Sequence, residues 1–182
     1  MNAPIDVTAL RIETQRLILR PWRESDLSDL YAYASVPGVG EMAGWKHHES
    51  MEESKRILEM FIRQKKTFAI ELQETGRVIG SLGLEEMRPD PIGDQRMGRE
   101  IGYVLSKDHW GRGLMTEAVK AVIDYCFDTL KLDYLTCGHF LRNDRSRRVV
   151  EKCGFRYFGE SEFETGYDTL EVSKNYILYN KR

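Results

Sequence analysis

Cysteine, proline and long apolar runs are all scarce in this chain. Its 182 residues include three cysteines and five prolines. Cys126, Cys137 and Cys153 are odd in number and sit in apolar or strand-like contexts, so they read as reduced core thiols of a cytoplasmic protein, not as a disulfide framework. No linker-like run of Pro, Gly or Ser, no repeat and no low-complexity tract divides the sequence, and its length suits one domain over residues 1–182. No apolar stretch approaches a membrane span, and the opening M-N-A-P-I-D lacks the basic start of a signal peptide. Neither sign of charge dominates: 27 Lys and Arg face 29 Asp and Glu, a net charge of −2. That balance argues against a general nucleic-acid or membrane-surface binder. The adjacent His47 and His48 have no partners at ligand spacing, so no metal site is expected.

A hydrophobic fraction of 41% with three Trp is enough for a packed core. Gln15 to Trp22 reads as a first strand, with Pro21 suited to an edge. Ser25 or Asp26 can cap a helix carrying Leu27, Leu30 and Tyr31. A second helix is predicted from about Met51 to Gln64, capped by Ser50 with Glu53 three residues on and carrying Ile57, Leu58, Phe61 and Ile62 as its apolar stripe. Phe68–Leu72 and Val78–Leu84 form a hairpin about Glu74-Thr75-Gly76. Met87–Met97 reads as an exposed loop. A strand over Arg99–Ser106 precedes a helix over Leu114–Leu130, then a strand over Leu132–His139. Asn143 can cap a short helix to about Lys152, with Gly154 beyond it. Phe155–Phe163 and Thr169–Tyr179 close the chain as strands. The order β-α-α-β-β-β-α-β-α-β-β describes an α+β protein with a mixed sheet.

The segment from Arg99 to Met115, R-E-I-G-Y-V-L-S-K-D-H-W-G-R-G-L-M, is the most informative. A strand passes through a glycine turn into a helix N-terminus, which offers unpaired N–H groups and a positive dipole to a phosphate. Alternation puts Glu100, Gly102 and Val104 on one face and Ile101, Tyr103 and Leu105 on the other, a good core face. Glu100 is either a solvated strand residue or a placed carboxylate. W-G-R-G alone is neither a Walker A loop nor a dinucleotide fingerprint.

Read in order, E-I-G-Y-V-L, W-G-R-G-L-M-T-E-A-V and N-D-R-S-R-R-V-V-E-K-C-G-F resemble the GNAT superfamily of acetyl-CoA-dependent N-acetyltransferases. Within it they look most like the ribosomal-protein N-terminal, or Rim-type, group, whose usual start E-T-Q-R-L-I-L-R-P-W-R-E-S-D-L also matches. The resemblance runs from about residue 13 to 178. It implies a GNAT-like, mainly antiparallel sheet with a splayed strand pair holding the coenzyme. Trp110, Gly111, Arg112, Gly113, Leu114 and Met115 then correspond to the turn that grips the pyrophosphate. Trp110 stands where many members have Gln or Arg. Met115 replaces a small residue and is expected to crowd the turn. The pantetheine arm is expected to pair with backbone near Val104 and Leu105, either of whose N–H groups polarises the thioester carbonyl. Asn143 matches the family's pantetheine-contacting asparagine.

The resemblance further implies Glu100 as general base and Ser146 as the group assisting thiolate departure. For Ser146 an ordinary helix-surface role is the alternative. Arg142, Arg145, Arg147 and Arg148 are either a solvated face or a partner for the coenzyme's phosphates. His47 and His48 fall in the stretch that lines the acceptor pocket of this family. No cysteine has an adjacent base, so direct attack in a ternary complex is expected over an acyl-cysteine route. The acceptor is expected to be a protein or peptide N-terminal amine. Alternatives are a small amine (polyamine, amino acid or drug) and a non-catalytic acyl-CoA-binding domain. A monomer or a homodimer fits equally.

Overall fold

A computed structural model describes residues 1–87, 91–93 and 95–181. The strands are β1 (Ile12–Glu13), β2 (Leu17–Pro21), β3 (Thr67–Leu72), β4 (Arg77–Glu85), β5 (Gly98–Leu105), β6 (Tyr134–Phe140), β7 (Arg156–Glu164) and β8 (Leu170–Tyr179). The helices are α1 (Leu27–Ala34), α2 (Met51–Gln64), α3 (Leu114–Asp124) and α4 (Asp144–Lys152). The strands form one sheet in the order β1-β2-β3-β4-β5-β6-β8-β7. β5 and β6 run parallel and the other neighbours antiparallel. The architecture is the expected α+β one, with one strand more than the sequence pattern gave. The extra strand, β1, arises because Thr14 to Arg16 form a tight turn, closed by the Thr14 N–H donating to the Leu17 carbonyl at 2.9 Å.

The sheet buries apolar side chains on both faces. On one face Leu19, Ile70, Leu82, Ile101 and Leu135 pack against Leu114, Ala118, Val122 and Val150 of α3 and α4. On the other, Ala69, Val78 and Val104 meet Trp22, just past β2, with Leu30 of α1 and Leu58 of α2. Double-sided burial explains why the strands read as apolar runs as much as alternations. On the α2 stripe Leu58 is buried, whereas Ile62 lies at the surface. Ser50 caps α2 as expected, accepting from the Glu53 N–H at 3.1 Å.

Three details depart from the sequence reading. Asp26 does not cap α1 with its side chain. It accepts instead from Arg20 Nη1 and Nη2 at 2.8 and 2.9 Å, a buried fork that ties β2 to α1. Helix α3 gives way at Tyr125–Thr129 to a wider π turn, in which Leu130 N–H reaches the Tyr125 carbonyl. Met87, expected in an exposed loop, is buried against Tyr134 and Ile177. Much of that loop, residues 88–90 and 94, lies outside the described residues.

Candidate active site

The site begins where two strands part. β5 and β6 pair from Gly98 opposite Tyr134 to Ile101 opposite Cys137, and there the ladder stops. β5 continues to Leu105 and β6 to Phe140 without meeting, which opens a gap in the middle of the sheet. The Ser106 N–H donates to the Ile79 carbonyl at 2.8 Å. Antiparallel ladders alternate, so Val104 and Gly102 turn their peptide groups toward β4, while Tyr103 and Leu105 turn theirs into the gap. This corrects one expectation: the N–H groups offered to an occupant belong to Tyr103 and Leu105, not Val104. Val104 contributes its side chain to the cavity wall.

At the far end of β5, Trp110 donates its indole N–H to the Leu105 carbonyl at 2.8 Å. The turn then runs through Gly111 and Gly113, at φ +74° and +76°. Those angles are strained for any residue with a Cβ. Gly113 is the N-cap of α3 and supplies no capping side chain. By contrast, Ser50 and Asn143 satisfy the first amides of α2 and α4. The N–H groups opening α3 are therefore left for a ligand. Met115 does not crowd the turn; it is buried within the core beside the cavity.

A clamp that the sequence pattern did not reveal fixes this turn. Glu117, in the first turn of α3, accepts from Thr14 Oγ1 at 2.6 Å, the Arg16 N–H at 2.8 Å and Arg16 Nε at 2.7 Å. Arg16 Nη1 also donates to the Arg112 carbonyl at 2.9 Å. The E-T-Q-R-L opening thus supports the glycine turn from some hundred residues away. Its resemblance was legible in the sequence, its role was not.

Glu100 lies on the α1/α2 face, directly opposite Glu85 of β4. Burial, then the Glu85 charge, raises its pKa above the ordinary carboxylate value of 4.5. Glu85 is itself paired with Lys66. Ser146 and Tyr103 sit on the opposite face of the sheet. Their hydroxyls are 2.7 Å apart, and burial raises the Tyr103 pKa, keeping the phenol protonated. Asn143 Oδ1 accepts from the Ser146 N–H at 3.1 Å, and Asn143 Nδ2 donates to the Met42 carbonyl at 3.2 Å. That second bond is one of several holding the segment between α1 and α2 across the cavity. Arg142 and Tyr167 both donate to the Glu41 carbonyl, at 2.9 and 3.0 Å, and the Gly166 N–H donates to the Gly44 carbonyl at 2.8 Å.

The result is one cavity of about 340 Å³ that runs through the gap from face to face. Val39, Met42, Ala43, Glu100, Gly102, Phe140 and Phe163 line one end, and Gly111, Gly113, Arg145, Arg148 and Lys152 the other. The basic group divides accordingly. Arg145 stacks over the Trp110 ring at 3.9 Å, whereas Arg142 is spent on Glu171 and Arg147 on Asp144 and Glu151. His47 bonds Glu41 at 2.7 Å within its own loop, and His48 bonds Ser54 of α2 at 2.7 Å. Glu41 is held at about 2: burial opposes this, but bonds from His47 and the backbone of His47 and Gly38 prevail.

This geometry can be set beside known proteins. A family model described as an acetyltransferase (GNAT) domain matches residues 16–156. The chain belongs to the GNAT acetyltransferase family. It is 31% identical over 152 residues to the Bacillus licheniformis protein p20, described as an uncharacterized N-acetyltransferase, covering 80% of this chain and 82% of that one. A GNAT-family acetyltransferase structure from Bacillus anthracis superposes with a TM-score of 0.83 at 20% identity, over 95% of this chain and all of that one. A structure described as a putative ribosomal-protein-serine acetyltransferase from Vibrio cholerae does so with 0.78 at 18%, over 95% and 99%. The microcin C7 self-immunity acetyltransferase MccE, solved with acetyl-CoA and AMP, gives 0.76 at 16%, over 91% and 93%. At these identities the structural likeness is one of fold.

GNAT enzymes take their acetyl group from acetyl-CoA, and this chain is an acetyl-CoA-dependent N-acetyltransferase. The residues present suit that donor. The uncapped α3 terminus and Gly111–Gly113 turn suit a pyrophosphate, and the strand-like N–H groups of Tyr103 and Leu105 suit an amide-bearing arm. Among the described residues no group of three or more His, Cys, Asp or Glu side chains could hold a metal ion. Likewise no helix there is long and apolar enough to cross a membrane.

Proposed function

We propose that this enzyme acetylates the N-terminal α-amine of a protein or peptide by direct attack in a ternary complex. The observation that carries the reading is the placement of Glu100 and Ser146 on opposite faces of the sheet, either side of the gap between β5 and β6. When bound there, acetyl-CoA supplies a thioester, a carbonyl already reactive toward a neutral amine. Glu100 takes the proton from the incoming amine on one face, its raised pKa making it a better base than an ordinary carboxylate. The N–H groups of Tyr103 and Leu105 meet the carbonyl oxygen and the arm in the gap. Ser146 meets the sulfur on the other face. Trp110, Gly111, Arg112, Gly113, Leu114 and Met115 hold the pyrophosphate with backbone amides, and Arg145 and Arg148 answer the remaining phosphate charge. Asn143 braces Ser146 and the strap over the acceptor.

The acceptor end favours one amine over a polycation. Among the described residues lining the cavity, Glu100 is the only carboxylate, and its neighbours Met42, Ala43, Phe140 and Phe163 are apolar. Nearby Glu41, Glu85 and Glu171 are already engaged by His47, Lys66 and Arg142. An α-amine, with pKa about 8, needs only modest help from one base, unlike a lysine at about 10.4. The Rim-type resemblance and the name of the Vibrio cholerae structure support the same class of acceptor. The whole chain then acts as one catalytic domain in the cytoplasm, where acetyl-CoA and reduced thiols are found. Acetyl-CoA turnover against N-terminal peptides, polyamines and aminoglycosides tests this. Peptides should give the highest kcat/KM; activity confined to polyamines or aminoglycosides would overturn it.

A further inference from the structure

Alternation places Tyr103 on the core face of β5, yet its hydroxyl finds a polar partner at the reaction centre. The phenol oxygen lies 2.7 Å from Ser146 Oγ and 3.4 Å from the Ser146 backbone carbonyl, with the Cys137 thiol beside it. Ser146 is buried, and its N–H is already bonded to Asn143. Two hydroxyls in contact need a donor and an acceptor. A phenol is a stronger acid than an alkyl alcohol, and of the two side-chain acceptors at hand for its proton, Ser146 Oγ and the Cys137 sulfur, the hydroxyl oxygen is the stronger, so Tyr103 donates to Ser146. The Ser146 hydrogen is thereby free to turn toward the cavity that Ser146 and Tyr103 both line.

We infer that Tyr103 is a positioning residue for acetyl transfer, whose phenol orients the Ser146 hydroxyl as a hydrogen-bond donor toward the departing sulfur. The inference rests on the assignment of Ser146 to that sulfur. In the step, the amine nitrogen bonds to the acetyl carbon and its proton passes to Glu100. The carbon–sulfur bond breaks with its electron pair on sulfur, where the Ser146 O–H bonds to it. Neither hydroxyl surrenders its proton, because both are weaker acids than a thiol. Donation from Tyr103 into Ser146 Oγ polarises the Ser146 O–H, so the pair acts more strongly than Ser146 alone.

The experiment combines kinetics with a ligand titration. Tyr103→Phe removes one oxygen and keeps the ring. It should lower kcat about tenfold, the worth of one hydrogen bond made as charge develops, and change KM for acetyl-CoA less than about twofold. The Ser146→Ala and Tyr103→Phe double variant should be no slower than Ser146→Ala alone. Without turnover, the thiolate absorbance of bound coenzyme A should titrate about one pH unit higher in Tyr103→Phe than in wild type. If the Phe variant fails to fold, a ring-fluorinated tyrosine at position 103, a stronger donor, should move that titration lower. A slow Ser146→Ala with an undiminished Tyr103→Phe, losses that multiply in the double variant, or a titration that neither change moves would overturn the inference alone. An undiminished Ser146→Ala would instead remove Ser146 from the sulfur, and the inference with it.

Discussion

Arg16 lies outside the cavity, yet the clamp it forms should govern coenzyme affinity. Its guanidinium spans Glu117 at 2.7 Å and the Arg112 carbonyl at 2.9 Å, fixing the turn from outside the cavity. Arg16→Ala removes both contacts and leaves Glu117 held by Thr14 Oγ1 and the backbone N–H of residue 16. A charge-assisted hydrogen bond contributes about 1.5–3 kcal/mol. The Arg16 side chain is 41% exposed, however, so screening reduces the effect. We expect about 1–1.5 kcal/mol, which is roughly a tenfold loss of coenzyme A affinity by isothermal titration calorimetry. Urea unfolding of the free protein should change by less than about 1 kcal/mol, since the turn alone is loosened. At saturating acetyl-CoA, kcat should be nearly unchanged, because neither contact touches the reacting atoms. Arg16→Lys keeps the charge but cannot span both partners. If Lys restores full affinity, charge attraction and not the geometry of the turn is responsible. If Arg16→Ala binds coenzyme A as wild type does, the clamp has no part in the site.

Three further outcomes follow from the same geometry. Gly113→Pro forces φ to about −65° where the turn holds +76°, so the rise in Tm that coenzyme A gives wild type should vanish; an undiminished rise would remove the turn from the phosphate site. Glu100→Gln should lower kcat/KM by about 10²-fold at neutral pH while sparing coenzyme binding. In wild type the rate should fall as pH drops through the raised Glu100 pKa, so its acid limb lies above the ordinary carboxylate value, and the Gln variant should lose that limb; a uniform loss at all pH values would mean positioning instead. Burial pushes the thiols of Cys126 and Cys153 up to about 12 and 11, and Cys137 higher still. A folded variant lacking all three should keep its activity, and an acetylated cysteine trapped with acetyl-CoA alone would contradict direct transfer.

Local chemistry made much of this fold legible. The Ser50 and Asn143 caps, the Gly76 turn and the W-G-R-G passage from strand to helix each act within a few residues, and each stands where the pattern put it. Register was less accessible. The resemblance points to both Val104 and Leu105 as backbone donors, and choosing between them needs the pairing of Ser106 with Ile79 on another strand. Contacts distant in sequence were not legible. Nothing near Asp26 says that Arg20 will claim its carboxylate in place of the helix terminus, and Arg16 and Glu117 meet across a hundred residues. Tyr103 was hidden for another reason: a strand tyrosine on an apolar face satisfies a core pattern, and its hydroxyl matters only once α4 brings Ser146 to it. The basic group likewise reads as four equal arginines until their partners separate Arg145 and Arg148 from Arg142 and Arg147.

The central claim is tested most directly by locating the acetyl group on a peptide that offers both a free N-terminus and one internal lysine. After incubation with acetyl-CoA and the enzyme, fragmentation mass spectrometry should place the acetyl group on the α-amine. The same peptide with a blocked N-terminus should remain unmodified. Acetyl-lysine as the product, or no product while a polyamine is consumed under the same conditions, would contradict the account.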